Sequence, residues 1–321
     1  MKIRVGIVGG AGYTGGELLR LSLLHQSVAI QWVQSESNAG KPVWMVHRDL
    51  LGETDLHFTA TAAHDADVVF ICSGHGSSAM VAAGFHQSVR IIDLSQDFRL
   101  QSPPDRTFVY GLCEVNRDAI VAAHNIANPG CFATAIQLAL APLAAAGILP
   151  AHINVVCTTG ATGAGQSMSR TSHYAWRDNN LSVYKPFQHQ HLAEINSTLG
   201  RLQPGYTGKI AMLPQRGAFA RGILACISMT IPGNAHRVYD LLAGYYSNSR
   251  FVKVTNEPAD LKQVVNTNKC VLETATDGDD VMIVSVIDNL LKGAGGQAVQ
   301  NMNLMLGLPE DEGLRLKASA F

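Results

Sequence analysis

The apolar residues in the first third of the chain gather in short runs separated by helically spaced ones. Ile3 to Val8 reads as a buried strand and Val28 to Val33 as a second; between them Leu18, Leu21 and Leu24 recur every three residues on a helix over Tyr13 to His25. Val68 to Cys72 and Val89 to Asp93 predict two further strands, separated by a helix over Ser77 to Phe85. Short strands alternating with helices predict a parallel, doubly wound α/β sheet. Ile126 then begins a turn, and Asn128-Pro129-Gly130-Cys131 leads into a helix whose Phe132, Ile136, Leu140 and Leu143 share one face.

After about residue 150 the pattern changes. Longer strand-like runs appear at Ile153 to Thr159, Lys209 to Leu213, Ile223 to Ile231 and Val281 to Asp288, with a helix over Ala235 to Tyr246. This is an α+β texture and predicts a mixed or antiparallel sheet. Gly160 to Gln188 is long, polar and glycine-bearing, as functional loops often are. Gly293 to Leu306 predicts a last helix that can return to the first domain.

Composition narrows the partners more than the fold. The 321 residues carry 24 Lys+Arg against 25 Asp+Glu, with 47% hydrophobic and 15% charged residues, a core-rich balance that excludes disorder. Nucleic acid and anionic membranes select a basic surface, and a net charge of -1 without a long like-charge run offers none. No stretch supplies the roughly 20 uninterrupted apolar residues of a membrane span; Phe132 to Leu149 is broken by Thr134, Gln137, Pro142 and Gly147. The expected partner is therefore a small molecule. The 6 cysteines are scattered without a C-x-x-C pair, which suits a reducing cytoplasm and no disulfide framework.

Gly10-Ala11-Gly12-Tyr13-Thr14-Gly15 fits G-x-G-x-x-G directly after a strand and before a helix. In that context the glycines turn the chain, admit a pyrophosphate and pack helix on strand, while the helix N-terminus offers N–H donors to the phosphates. A bare G-x-G-x-x-G is also met in plain glycine-rich turns, but between strand and helix it predicts the dinucleotide site of a Rossmann-type domain. The tip of the second strand discriminates NAD from NADP, because an acidic residue there holds a bare ribose and repels a 2′-phosphate. Here it reads Gln34-Ser35-Glu36-Ser37-Asn38-Ala39-Gly40-Lys41. Ser35, Ser37 and Lys41 suit a phosphate and favour NADP(H), whereas Glu36 could serve a ribose.

Among the cysteines, Cys131 alone follows a Pro-Gly turn and opens a helix, where the partial positive charge favours a thiolate nucleophile. A nucleotide domain joined to such a thiol suggests thioester formation followed by hydride reduction, which also needs a proton donor. His189-Gln190-His191 with Glu194 is the candidate cluster. No further Cys or His stands at zinc-like spacing from the H-x-H pair, so no metal is expected. Arg99, Arg170, Arg177, Arg216 and Arg221 lie in loops or at element ends and could fork onto a phosphate or carboxylate.

The same residues carry a resemblance. Gly9 to Gly15, Asp93-Leu94-Ser95-Gln96-Asp97-Phe98-Arg99, Tyr110-Gly111-Leu112 with Glu114, and Asn128-Pro129-Gly130-Cys131 follow in order. Thr162-Gly163-Ala164-Gly165, His189-Gln190-His191 with Glu194-Ile195, Arg221-Gly222-Ile223 and Asp288-Asn289-Leu290-Leu291-Lys292-Gly293-Ala294 complete the set. Over nearly the whole chain these motifs resemble the N-acetyl-gamma-glutamyl-phosphate reductase family of arginine biosynthesis. The resemblance implies a Rossmann-type cofactor domain over 1–130 and 297–321, and an α+β catalytic and dimerisation domain with a mixed or antiparallel sheet over 131–296. It implies Cys131 as nucleophile and an acid/base in the His189/His191 pair with His191 favoured. An open sheet joined to an apolar second domain separately predicts a homo-oligomer, a dimer or tetramer. NADP(H) would lie over Gly10, Gly12, Tyr13, Thr14 and Gly15, with its 2′-phosphate near Ser35, Ser37 and Lys41, and Asn289, Lys292 and Gly293 on the nicotinamide side. Arg99 and Arg221, inside the shared motifs, and Gln166 are the expected substrate-binding residues.

The chain departs from the family pattern at Phe132-Ala133, where Tyr-Pro is common, at Gln166, where a basic residue is frequent, and at Gln215, where many members carry His. The last two leave the substrate's acyl group open between acetyl and succinyl. Carrier-bound aminoadipyl phosphate would need a basic docking face that is not seen, and aspartate-semialdehyde dehydrogenase carries a different motif set. A non-catalytic NADP-sensing module would keep the glycine loop without requiring Cys131.

Overall fold

In the computed structural model, which describes residues 2–74 and 76–320, the strands and helices of the first third form a seven-stranded sheet in the order β3-β2-β1-β4-β5-β7-β6. These are β1 (Ile3–Val8), β2 (Val28–Gln34), β3 (Phe58–Thr59), β4 (Val68–Ile71), β5 (Arg90–Asp93), β6 (Val109–Tyr110) and β7 (Asn125–Ala127). Every pairing is parallel, so each strand needs a crossover connection. Helices α1 (Tyr13–Leu24), α2 (Ser78–Ala83) and α3 (Cys113–Val121) supply some of these, and the last helix, α8 (Gly295–Met305), returns to the same unit. The strand order reverses between β1 and β4, the topological switch point where open α/β sheets bind ligands.

Leu18 and Leu21 are buried as the three-residue spacing predicts, but Leu24 is 63% exposed. Two three-residue steps rotate a side chain about 120° off its starting direction on a 3.6-residue helix, enough to carry the last leucine off the buried face. Helix α8 departs from expectation in the opposite sense: Gln297, Gln300, Asn301 and Asn303 are all buried. The Gln300, Asn301 and Asn303 amides are hydrogen-bonded, Asn301 Nδ2 donating to Gly111 O at 2.9 Å and to Asn128 Oδ1 at 3.0 Å. Burial of so polar a helix is tolerable because these three amides are paired.

The second unit holds a mixed sheet in the order β12-β13-β14-β11-β8-β10-β9. Its strands are β8 (His152–Thr159), β9 (Ser182–Val183), β10 (Lys209–Arg216), β11 (Ile223–Thr230), β12 (Val252–Thr255), β13 (Cys270–Asp277) and β14 (Asp280–Ile287). Pairs β8/β10 and β12/β13 are parallel and the others antiparallel. Helices α4 (Cys131–Ala145), α5 (Tyr174–Arg177), α6 (His191–Leu202) and α7 (Val238–Tyr245) complete the unit, and α4 packs against α6, α7, β11 and β14. Consequently α4 is buried on all sides from Phe132 to Ala144, and not on one face alone. Pro142 inside it cannot donate to the Leu138 carbonyl four residues back; the Tyr246 hydroxyl donates there instead, at 2.6 Å.

The units divide after Pro129, and Ala294–Arg315 joins the first. The tail from Leu316 belongs to the second unit and not, like Ala294–Arg315, to the first. The cause is pairing by backbone: Ser319 N donates to Val265 O at 3.2 Å and Asn266 Nδ2 to Lys317 O at 3.2 Å.

Candidate active site

In the first unit the glycine loop sits between β1 and α1. Gly9, just before the motif, makes the turn: its φ is +72°, and a Cβ there would lie 2.8 Å from the Cys72 carbonyl oxygen. Gly10 and Gly15 are packing positions, since a Cβ at Gly15 would come within 2.6 Å of Gly10 Cα. A Cβ at Gly12 would meet nothing nearer than Gly9 O at 3.6 Å, so its face is open to an approaching group. Tyr13 and Thr14 open α1 with no acidic side chain in the first turn, leaving its N–H donors to an anion. The loop is braced by His47, whose Nε2 lies 2.8 Å from Gly10 O and whose ring lies against Gly16. Burial lowers the His47 pKa and favours the neutral ring. No sequence pattern announced this residue.

At the tip of β2, Asn38 joins the residues expected to read the ribose. Its Nδ2 donates to Ser35 Oγ at 3.3 Å and Ser37 Oγ at 3.2 Å, and its Oδ1 accepts from Lys41 Nζ at 3.2 Å. Two hydroxyls and an ammonium are thereby gathered into one polar cluster, with Glu36 exposed beside it. Arg99, in the same unit, donates from Nε to Asn128 O at 2.9 Å and from Nη2 to Leu94 O at 3.0 Å. Those bonds brace the turn that precedes Cys131.

In the second unit, Cys131 is the first residue of α4 and His191 the first residue of α6. The two helices pack together with these ends adjacent. Gly130 permits the approach, because a Cβ there would lie 2.3 Å from His191 Nε2. Gly293 brings the 289–293 segment in from another side; a Cβ on it would lie 2.8 Å from Cys131 Cβ. Buried Glu194 ties the pieces together. Its Oε2 accepts the Gly130 N–H at 2.9 Å, and its Oε1 lies 3.9 Å from His191 Nε2.

The paired histidines have different roles. His189 Nδ1 accepts the His191 backbone N–H at 3.2 Å, and the two rings meet edge to face at 4.5 Å. Burial, reinforced by the charges of Lys185 and Arg216, pushes the His189 pKa down to about 4. His189 is therefore neutral near pH 7 and holds the start of α6 in place. The Phe132 ring packs edge-on against both histidines, at 5.4 Å and 6.3 Å. Its neighbour Tyr184 contacts His189 at 5.8 Å and lies under the Arg216 guanidinium at 4.6 Å.

Several expected contacts take other forms. Arg221 forms a two-point ion pair with buried Asp288, Nε to Oδ2 at 3.0 Å and Nη2 to Oδ1 at 3.2 Å. Its charge is met within the protein. Asp288 also accepts the backbone N–H groups of Asn266, Leu290 and Leu291 at 2.8, 2.8 and 3.1 Å, which shapes the segment leading to Gly293. The Asn289 side chain accepts from Gly222 N at 2.8 Å and donates to Thr162 Oγ1 at 3.0 Å. Lys292 is fully buried, with Nζ 5.8 Å from the Phe251 ring centre. These side chains hold the loop in place, leaving its backbone and Gly293 beside the thiol. Gln166 is exposed after Gly165, whose φ is +74°, and Gln215 accepts from the Thr158 hydroxyl at 3.0 Å.

A switch-point glycine loop in one unit and a helix-opening thiol backed by a buried Glu–His pair in the other define an oxidoreductase of the semialdehyde dehydrogenase type. Comparison with known proteins agrees: the family described as semialdehyde dehydrogenase, NAD binding domain, matches residues 4–123, and its dimerisation domain matches 131–289. An N-acetyl-gamma-glutamyl-phosphate reductase of Christiangramia forsetii is 50% identical over 99% of this chain and 100% of its own. Those of Flavobacterium johnsoniae and Bacteroides thetaiotaomicron are each 48% identical over the same shares. The chain belongs to the N-acetyl-gamma-glutamyl-phosphate reductase family. The fold is also that of aspartate semialdehyde dehydrogenase II from Vibrio cholerae, with a TM-score of 0.71 at 18% identity over 96% of this chain and 99% of that one. The Candida albicans aspartate semialdehyde dehydrogenase solved with NADP has a TM-score of 0.71 at 15% identity, covering 95% and 99%. Among the described residues no helix is long and apolar enough to cross a membrane.

Proposed function

We propose that the protein catalyses the NADPH-dependent reduction of N-acetyl-L-glutamyl 5-phosphate to N-acetyl-L-glutamate 5-semialdehyde and phosphate. The observation that carries the reading is the convergence on Cys131 of a helix N-terminus, the His191–Glu194 pair and the Gly293 segment. A dinucleotide phosphate fits the first unit: Gly12 is open, the start of α1 carries no competing carboxylate, and Ser35, Ser37, Asn38 and Lys41 are clustered where a 2′-phosphate needs donors.

The Cys131 thiolate attacks the acyl carbon, the bond from that carbon to the phosphate oxygen breaks, and a thioester remains on the enzyme. NADPH, when bound, supplies the hydride that reduces this thioester. His191, with Glu194 behind it, protonates the oxygen of the resulting thiohemiacetal and takes that proton back as the carbon–sulfur bond breaks. Aldehyde departs and the thiolate is restored; the proton consumed per turnover leaves on hydrogen phosphate. Glu194 keeps the imidazole oriented, while His189 stays neutral and positions the His191 backbone.

The reverse reaction tests this. N-acetylglutamate 5-semialdehyde, phosphate and NADP should give phosphate-dependent NADPH absorbance that Cys131→Ser abolishes. Signal only with the N-succinyl analogue would keep the mechanism and overturn the acyl assignment. Silence with both, from protein that still binds NADP, would favour a sensor.

We further infer a homo-oligomer built on the second unit's sheet, whose outer side leaves Val156 39% exposed beside Asn154 and Ser228. The description of the family domain matched by residues 131–289 as a dimerisation domain supports association through this unit. Free thiols at Cys72, Cys157 and Cys226 suit work in the reducing cytoplasm.

A further inference from the structure

The other arginines with carboxylate partners show what Arg216 lacks. Arg4 pairs with Asp67, Arg20 with Asp49 and Glu17, Arg117 with Glu310, Arg221 with Asp288 and Arg315 with Asp311. Among the described residues no carboxylate lies within ion-pair distance of Arg216, and its buried Nε has no hydrogen-bond partner. A buried guanidinium donor left unmet is costly, and its planar fork matches a carboxylate at two points.

Arg216 is also aimed. It ends β10, and its guanidinium lies over the Tyr184 ring, which touches His189, which in turn touches His191. The chain of contacts ends on His191, the first residue of α6. Neighbouring cations do not relieve it. Arg177 spends its donors on the Thr171, Asn180 and Arg216 carbonyls and the Ser182 hydroxyl, and Lys185 donates to Gln190 Oε1 at 3.2 Å. Lys185 and Arg216 both set their charge against His189, and Arg177 stands beside Arg216.

We propose that Arg216 binds a carboxylate of the substrate and, through it, sets which N-acylglutamyl compound the enzyme accepts. The proposal rests on the reductase reading above. Two carboxylates could fill the site: the α-carboxylate that every N-acylglutamyl substrate carries, or the distal carboxylate of a dicarboxylic acyl group such as succinyl.

The test compares wild type, Arg216→Met and Arg216→Lys in the reverse reaction with N-acetyl- and N-succinylglutamate 5-semialdehyde. In parallel, calorimetry measures the binding of N-acetylglutamate and N-succinylglutamate. The methionine variant should raise KM about 10- to 100-fold, with kcat, phosphate KM and NADP KM nearly unchanged. Lysine, which keeps the charge and loses the fork, should fall between. A loss with both acyl groups assigns the α-carboxylate, and a loss confined to the succinyl compounds assigns the acyl carboxylate. Unchanged KM and binding for both, or a rise in phosphate KM instead, would overturn the proposal. If methionine does not fold, the lysine variant and calorimetry carry the same decision. Wild-type inactivity with both aldehydes would defeat the reductase reading, while the binding comparison would still decide the role of Arg216.

Discussion

Replacing Gly130 with alanine probes the site at its tightest point. The added methyl carbon would stand 2.3 Å from His191 Nε2 and 2.6 Å from Cδ2 and Cε1, whereas ordinary contact begins at 3.4 Å. The imidazole must therefore retreat by about 1 Å, and its exits are obstructed. The His189 ring lies 4.5 Å away, Phe132 packs at 6.3 Å, and Glu194 Oε1 is 3.9 Å from Nε2. A displacement of that size at a catalytic group costs about 100-fold, and complete loss of acid/base assistance about 100- to 10,000-fold. Gly130→Ala should thus lower kcat about 100- to 1,000-fold. The backbone itself accepts alanine, with φ −71° and ψ 151°, so folding and NADP affinity should be retained. The assay is kcat for phosphate-dependent NADPH formation, alongside NADP titration and the rate of Cys131 alkylation. A variant within about threefold of wild-type kcat would refute the claim that the close approach of His191 serves catalysis.

Other consequences follow from the same contacts. Glu194→Gln, which keeps size and loses charge, should lower kcat about 10- to 100-fold with little change in KM, and steady-state kinetics read both; an unchanged kcat would remove Glu194 from the proton path. Lys41→Ala should weaken NADP binding about 10- to 100-fold and leave NAD binding alone, and equal losses for both would deny it a 2′-phosphate. Asp288→Asn breaks a buried ion pair and should cost about 3–5 kcal/mol in denaturant unfolding, so a variant as stable as wild type would contradict the bracing role. For His189 the sign runs against acid. Between the ordinary value of 6.5 and about 4 the unfolded chain binds a proton that the folded one excludes. Stability should consequently fall as pH drops through that window, by on the order of 3 kcal/mol. His189→Asn should abolish that loss, and matching wild-type and variant melting curves across pH 4–6.5 would count against it.

What could be read from residues alone follows the range of the interactions. The glycine loop, β1, α1 and the Cys131 turn are local patterns, and local patterns survive in one sequence. Two-residue strands such as β3 and β6 exist only because a neighbour pairs with them. No periodicity betrays them. The spacing on α4 displays one face because it cannot reveal that sheet and helices cover the others. Arg221 pairs with Asp288, 67 residues away, a distance no local spacing can bridge. Arg216 stood in the same group of loop and end arginines, and only three dimensions show that its own partner is missing. The two histidines illustrate both limits: their spacing marked the pair, and the cations around His189 separated the roles.

The thioester on Cys131 is the central claim, and a phosphate-free incubation addresses it most directly. Enzyme, N-acetylglutamate 5-semialdehyde and NADP, quenched and digested, should show a burst of about one NADPH per site. The peptide containing Cys131 should gain the mass of an N-acetylglutamyl group. Added phosphate should discharge the adduct and start turnover. Phosphate-dependent turnover with no adduct on Cys131, or with turnover retained in Cys131→Ser, would contradict the account.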